Sequence, residues 1–290
     1  MRSLKILFLF IFVLPFICEN AGFAQKKSSS KGKITYQSLF DKADGFYQNG
    51  QYDLAIKHYN AAIQLEPKSS DAYMNKGLCY FYKKDYALAI KAYNTSLLLD
   101  PRNTLLYYNR GLCYYRRGDY ALAIKDYETY LPSDPNDADV YMNRGICYNY
   151  QGDYDLAIKD YETSLLLNPN NTEVYYNRGY LYLTKKDYDL GIKDFVAYLR
   201  LKPDNEDGYI NRGICYYYKR DYDLAIKDFT ACLELNPNNV EGYYNRALSY
   251  DRKMNYDLAI QDYNSILKID PKMKDAIDNL AADKRNKADQ

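Results

Sequence analysis

The side chains of this sequence that could act as nucleophiles or metal ligands are few and widely separated. His58 is the only histidine, and no serine or cysteine lies beside it at a spacing that would form a catalytic triad. Four of the six cysteines are regularly spaced. Cys79, Cys113 and Cys147 follow one another at a constant interval, and Cys215 follows Cys147 at twice that interval. No second metal ligand lies within a few residues of these four, and Cys232 is also isolated. The sequence has no glycine-rich phosphate loop and no nucleotide-binding motif. We therefore expect no catalytic site, no metal site and no cofactor.

Arginine and aspartate recur at a fixed spacing, and they could form either a basic binding ladder or internal ion pairs. Five arginines each precede an aspartate by the same interval, in the pairs Arg110 and Asp126, Arg144 and Asp160, Arg178 and Asp194, Arg212 and Asp228, and Arg246 and Asp262. Where Lys76 replaces the arginine, Ala92 replaces the aspartate. The planar guanidinium group fits a carboxylate well. We favour internal ion pairs over a ladder that holds an acidic partner.

The elements that position these side chains follow a constant period, which is set by seven equally spaced prolines: Pro67, Pro101, Pro135, Pro169, Pro203, Pro237 and Pro271. A period of this length is typical of a solenoid. In a frame that starts at Tyr36, the eighth and twentieth positions are small and the eleventh and twenty-fourth are aromatic. Apolar spacings of three and four predict two amphipathic helices per repeat. The second helix is predicted to begin after an N-cap aspartate and to end before the proline, where Asp85 and Pro101 are one such pair.

These residues resemble the tetratricopeptide repeat family over about four-fifths of the chain. The family's tryptophan position carries tyrosine here, as at Tyr107, and its leucine position carries lysine or arginine. The resemblance implies an all-α fold, a right-handed superhelical solenoid of antiparallel helix pairs with about seven repeats and a C-terminal capping helix. The repeats span 36–69, 70–103, 104–137, 138–171, 172–205, 206–239 and 240–273, and the capping helix and tail span 274–290. Equivalent helices would lie about 8–10 Å apart, which is too far for disulfides between the cysteines.

The resemblance also implies where a partner would bind. Members of the family bind partners in a concave groove that is lined by their first helices, and an asparagine at the sixth position holds an extended peptide. Carried over to this chain, the candidate partner-binding residues are Asn75, Tyr108, Asn109, Tyr115, Asn143, Tyr150, Tyr176, Asn177, Asn211, Tyr217, Tyr218, Tyr244 and Asn245. The lysines that complete a carboxylate clamp in chaperone-binding members are missing at the fifth position. We expect a non-enzymatic scaffold or adaptor that binds a protein or peptide, with glycan binding by the tyrosine-rich groove as the alternative.

The N-terminus has the pattern of a targeting segment. Arg2 and Lys5 precede an apolar run over 6–17, and Gly22-Phe23-Ala24 forms a small-x-small cleavage signal. We therefore expect a signal peptide over 1–24, a flexible leader over 25–35, and export to the periplasm or the exterior. An uncleaved anchor and lipidation at Cys18 are the less favoured alternatives. No other segment is expected to cross a membrane.

The charge balance argues against two classes of partner. Residues 1–24 contain Arg2, Lys5 and Glu19, so their removal from 39 basic and 38 acidic residues leaves 37 of each. A neutral chain does not favour nucleic acid or an anionic membrane as the main partner. The sequence leaves the oligomeric state open.

Overall fold

The computed structural model describes residues 34–289, and this part of the chain contains fifteen α-helices and no β-strand. The signal peptide, the Cys18 lipidation site and nearly all of the leader expected from the sequence lie outside the described residues. The helices are α1 Tyr36–Gln48, α2 Tyr52–Leu65, α3 Ser70–Tyr82, α4 Tyr86–Leu99, α5 Leu105–Arg117, α6 Tyr120–Tyr130, α7 Ala138–Gln151, α8 Tyr154–Leu167, α9 Thr172–Lys185, α10 Tyr188–Leu201, α11 Glu206–Tyr218, α12 Tyr222–Leu235, α13 Val240–Arg252, α14 Tyr256–Ile269 and α15 Lys274–Ala288.

The helices divide into two compact units, and the boundary between the units falls after residue 167. The first unit contains α1 to α8, and the second contains α9 to α15. Within each unit, every helix packs mainly against the helices that precede and follow it in the chain, and the first helices of neighbouring repeats also touch. This packing is that of stacked helix pairs, since one amphipathic pair cannot bury its apolar face alone.

The helix start signals are only partly those expected. The Asp85 and Asp221 side chains accept hydrogen bonds from the backbone N–H groups of Leu88 and Leu224, as an N-cap should. Asp119 occupies the same position without a side-chain cap bond, and its carboxylate lies 3.2 Å from the Arg117 guanidinium. Asp187 also makes no side-chain cap bond.

The small and aromatic positions of the repeat fit together in the core. A Cβ atom added to Gly77 would lie 2.6 Å from Cε1 of Tyr93, and one added to Gly213 would lie 2.6 Å from Cε1 of Phe229. Tyr93 and Phe229 are completely buried. The eighth residue is therefore small because the aromatic ring at the twenty-fourth position occupies the space of a side chain.

Candidate functional site

The arginine and aspartate ladders form internal ion pairs, which confirms the interpretation favoured from the sequence. In each of the five pairs, the arginine Nε and Nη2 donate to the two carboxylate oxygens at 2.7–2.8 Å. The five aspartates are nearly completely buried. Burial raises the pKa of Asp126 and Asp160, and the paired guanidinium opposes that shift. The arginines are therefore structural and do not form an exposed basic ladder.

The cysteines behave as small buried hydrophobic residues. All five in the described part of the chain are free and buried, as the spacing of the helices predicts. Burial raises the pKa of the Cys79 and Cys215 thiols to about 12. His58 is half-buried, and its ring stacks on Phe46 with centroids 5.1 Å apart. No group of three or more metal-ligating side chains occurs among residues 34–289.

The predicted partner-binding residues are not equally accessible. Five of them are buried, namely Tyr108, Asn109, Asn143, Tyr176 and Asn211. Seven are partly exposed, namely Asn75, Tyr115, Tyr150, Asn177, Tyr217, Tyr244 and Asn245. Tyr218 is 55% exposed and is the most accessible large apolar side chain on a first helix in the described part of the chain. The residues that a partner can reach are thus a subset of those named by the resemblance.

Several of the sixth-position asparagines are engaged by internal contacts. The Asn211 amide donates to the Tyr176 hydroxyl at 3.1 Å and to the Asp207 carbonyl at 2.9 Å. The Asn75 amide donates to Asp44 at 3.3 Å. By contrast, both polar side-chain atoms of Asn109 are buried without a hydrogen-bond partner in the described residues. The asparagines therefore differ in role, although they share a repeat position.

The repeats also follow a second period of two repeats, which was not predicted from the sequence. The fifth position alternates between tyrosine, at Tyr108, Tyr176 and Tyr244, and an aliphatic side chain, at Met74, Met142 and Ile210. The twenty-seventh position alternates with it between large residues, at Tyr130, Tyr198 and Ile266, and small ones, at Ser96, Ser164 and Cys232. The ring centroids of Tyr108 and Tyr130 lie 5.4 Å apart, and those of Tyr176 and Tyr198 lie 5.2 Å apart. This alternation could have been found in the sequence, because the same residue types return at the fifth and twenty-seventh positions of every second repeat.

The same two-repeat period places three pairs of stacked tyrosines at the C-terminal ends of first helices. The pairs are Tyr82 on Tyr52, Tyr150 on Tyr120 and Tyr218 on Tyr188, with centroids 5.4, 4.4 and 5.3 Å apart and ring planes within 8–13° of parallel. Tyr52, Tyr120 and Tyr188 were not among the predicted site residues. We call these three arrangements the tyrosine pairs.

We call Tyr82, Tyr150 and Tyr218 the outer tyrosines of these pairs. Arginine occupies their repeat position in two of the alternate repeats. The Arg116 guanidinium lies over the Tyr115 ring, 5.6 Å from its centroid, within the first unit. Arg252 Nε donates to the Tyr217 hydroxyl at 3.2 Å within the second unit. Each unit therefore presents both stacked aromatic rings and a guanidinium group near the ends of its first helices.

Comparison with family models settles the family. Four models, each described as a tetratricopeptide repeat, match residues 40–103, 77–145, 160–193 and, for one model, 138–171, 206–239 and 240–273. Together these matches cover well over half of the chain. The chain belongs to the tetratricopeptide repeat family.

Solved structures of tetratricopeptide repeat proteins share this fold. The C-terminal part of a repeat-containing protein from Cytophaga hutchinsonii is 25% identical with a TM-score of 0.74, and the match covers 83% of this chain and 99% of that one. A tetratricopeptide repeat protein from Parabacteroides merdae is 20% identical with a TM-score of 0.60, covering 86% and 98%. YrrB is 21% identical with a TM-score of 0.57, covering 63% and 95%. A search of curated proteins gives no match.

Membership of the tetratricopeptide repeat family makes this chain a protein-interaction scaffold in general terms. The family and the fold are typically non-enzymatic. None of the helices within residues 34–289 is both long enough and apolar enough to span a bilayer.

Proposed function

We propose that this tetratricopeptide repeat protein is a non-enzymatic scaffold that binds an extended peptide segment of a partner protein along its first helices. The observation that carries the proposal is the set of tyrosine pairs and the arginines that alternate with them. Tyrosine and arginine are enriched among the residues that dominate protein interfaces, because they offer large contact area together with polar groups.

The accessible residues define the contact surface of this proposal. In the first unit it includes Tyr115, Arg116 and Tyr150, and in the second unit Tyr217 and Tyr218. The rings within a tyrosine pair are 4.4–5.4 Å apart, so no ligand group fits between them. A partner would instead lie against the outer ring, where the stack fixes the ring and lowers the entropy lost on binding.

The buried tyrosines and asparagines have a supporting role in this proposal. Tyr108 and Tyr176 are 2% and 8% exposed, so a partner cannot contact much of either ring. Asn177 and Asn245 are partly exposed and are therefore the better candidates for hydrogen bonds to a peptide backbone. YrrB, described as having an unusual peptide-binding site, shares the fold and offers general support for a peptide ligand.

The location is part of the proposal. Arg2 and Lys5, the apolar run over 6–17 and the small-x-small signal that ends at Ala24 favour export. We infer that the scaffold acts in the periplasm or outside the cell. Fractionation of cells that express the full chain tests this inference, because an N-terminal sequence that begins at Gln25 in an extracytoplasmic fraction is expected. Recovery of the uncleaved chain in the cytoplasm would contradict it.

Site-specific photo-crosslinking tests the binding surface. A photoreactive amino acid replaces Tyr217 or Tyr218 in the full chain, and the captured proteins are identified by mass spectrometry in the native host. The control position is Leu224, which is 38% exposed on the second helix of the same repeat. We expect the same partner from both tyrosine positions and none from Leu224. Equal capture from Leu224, or binding to a glycan array with no protein captured, would overturn the proposal.

A further inference from the structure

Apart from Ile34, which precedes α1, the exposed large apolar side chains in the described part of the first unit all lie on second helices. No large hydrophobic side chain is exposed on the described first helices α1, α3, α5 and α7. All four second helices of the unit expose leucine at the nineteenth position of the repeat: Leu54, Leu88, Leu122 and Leu156, each 40–47% exposed. Apolar side chains that cluster on one side of a protein indicate an interaction surface.

Two further leucines on α4 and α8 stand out from the surface. Leu98 is 85% exposed and Leu166 is 81% exposed, so packing within the chain accounts for little of either side chain. They occupy the same repeat position two repeats apart. We call Leu88, Leu98, Leu122, Leu156 and Leu166 the leucine face.

The threonine hydroxyls beside these leucines need no hydrogen bonds from a partner. Thr95, Thr129 and Thr163 each follow the nineteenth-position leucine by seven residues, so they lie on the same side of the helix. Their hydroxyls donate to carbonyls of their own helices at 2.9–3.1 Å. A partner that covered them would therefore leave no unpaired hydroxyl.

The charges around the leucine face are of both signs. Three exposed lysines lie three residues after the leucines, at Lys91, Lys125 and Lys159, and none forms an ion pair within the described residues. Two exposed glutamates follow at Glu128 and Glu162. An anionic bilayer would repel these glutamates. A surface that carries lysine and glutamate three residues apart complements itself when a two-fold axis turns one helix against another.

The size of the surface is sufficient for a dimer. A 14-residue helix such as α4 is about 21 Å long, and helices pack about 8–10 Å apart. Three second helices side by side therefore offer roughly 500–600 Å² on each copy, or about 1,000–1,200 Å² in total, near the lower limit of specific interfaces.

We propose that α4, α6 and α8 form an interface between two copies of this chain, with the leucine face at its centre. Lys125 and Lys159 of one copy face glutamates of the other across the two-fold axis. The first-unit residues of the proposed peptide surface, Tyr115, Arg116 and Tyr150, lie on α5 and α7 and are not part of this interface, although Tyr120, which stacks on Tyr150, is the first residue of α6. The dimer proposal does not rest on the proposed peptide binding.

Sedimentation velocity of the full chain tests the proposal over about a hundredfold range of concentration, since dimerisation depends on mass action. We expect a dimer for the wild type. Leu88→Gln combined with Leu122→Gln is expected to weaken the dimer at least about tenfold. The matched control is Leu190→Gln with Leu224→Gln, at the same repeat position in the second unit and 45% and 38% exposed. The control is expected to dimerise as the wild type does, and circular dichroism melting checks that both variants fold.

A charge exchange tests the pairing itself. Lys125→Glu with Lys159→Glu, and Glu128→Lys with Glu162→Lys, should each dimerise more weakly alone, whereas a mixture of the two variants should associate as the wild type does. A wild-type monomer at the highest concentration would overturn the proposal. So would equal weakening by the control pair, no recovery in the mixture, or a monomer that instead sediments with phosphatidylglycerol vesicles.

Discussion

The Arg144 guanidinium donates two hydrogen bonds to the Asp160 carboxylate, from Nε at 2.7 Å and from Nη2 at 2.8 Å, and Asp160 is only 4% exposed. The pair joins the two helices of one repeat, and its equivalents occur in four other repeats. A buried pair of this kind does not by itself show a net gain in stability over an apolar pair. Removing one member, however, leaves a buried charge without compensation.

Arg144→Ala is therefore expected to lower the free energy of unfolding by about 2–4 kcal/mol, somewhat less than for fully buried pairs because the Arg144 side chain is 16% exposed. Urea denaturation followed by circular dichroism measures the change. Lys253→Ala is the control, since Lys253 pairs with the largely exposed Asp223 and its loss should have no measurable effect. Equal losses in the two variants would contradict the structural role of Arg144.

The cost of Arg144→Ala should depend on pH. Burial already raises the pKa of Asp160, and the guanidinium opposes that shift, so the variant raises this pKa further. A carboxyl group with a raised pKa in the folded state destabilises the fold above its unfolded pKa, and it ceases to do so when both states are protonated. The difference in unfolding free energy between wild type and variant should therefore shrink below about pH 4. A difference that stays constant from neutral to acidic pH would show that lost packing, and not the charge, is responsible.

Two glycines in the first unit should respond to alanine in opposite directions. A Cβ atom on Gly77 would lie 2.6 Å from the buried Tyr93 ring, whereas one on Gly45, within α1, would meet no atom within 4 Å. Gly77→Ala is expected to destabilise the chain by about 1–3 kcal/mol through overpacking. Gly45→Ala is expected to stabilise it by about 0.5–1 kcal/mol, since alanine favours a helix interior. Thermal melting of the two variants checks the signs, and a shift in the same direction for both would be unexpected.

The sequence was sufficient to predict the structural features that depend only on residues within one repeat. The equal spacing of the prolines predicts the helix pairs, and the constant interval from arginine to aspartate predicts the Arg144–Asp160 contact, because both partners belong to one hairpin. The accessibility of Tyr108 was not predicted, since it depends on Tyr130 at a position that alternates with a period of two repeats. The family resemblance specifies where on a helix a residue lies. Whether its side chain is buried depends on the side chains that pack against it in this chain. The missing cap bonds at Asp119 and Asp187 were likewise not predicted from the repeat position.

The thiols of the described residues should be unreactive in the folded protein. All five are buried, and burial raises the pKa of Cys79, Cys215 and Cys232 to about 12, so the thiolate is scarce near neutral pH. Titration with a disulfide reagent is expected to label none of the five in the native state and all five in denaturant, with Cys18 adding a sixth where residues 1–24 are retained. Fewer than five after denaturation without reductant would reveal a disulfide.

The C-terminal helix α15 contains a carboxyl group whose ionisation should oppose folding. Asp283 is 3% exposed, and its Oδ2 has no hydrogen-bond partner among the described residues. Burial, together with the nearby charge of Asp251, raises the pKa of Asp283 to about 6. The folded chain therefore holds a proton that the unfolded chain releases between about pH 4 and pH 6. The stability of α15 should accordingly fall as the pH rises through this window.

Asp283→Asn is expected to stabilise α15 at neutral pH and to remove most of this pH dependence, because a neutral side chain of similar shape replaces an ionised one in a buried position. Hydrogen exchange of the α15 amides below and above about pH 6 measures both effects. Asp278→Asn is the matched control, since Asp278 lies on the same helix but is exposed, and it should leave the pH dependence unchanged. If Asp283→Asn retained the wild-type slope or weakened α15 at neutral pH, the ionisation of Asp283 would not be what limits the stability of this helix.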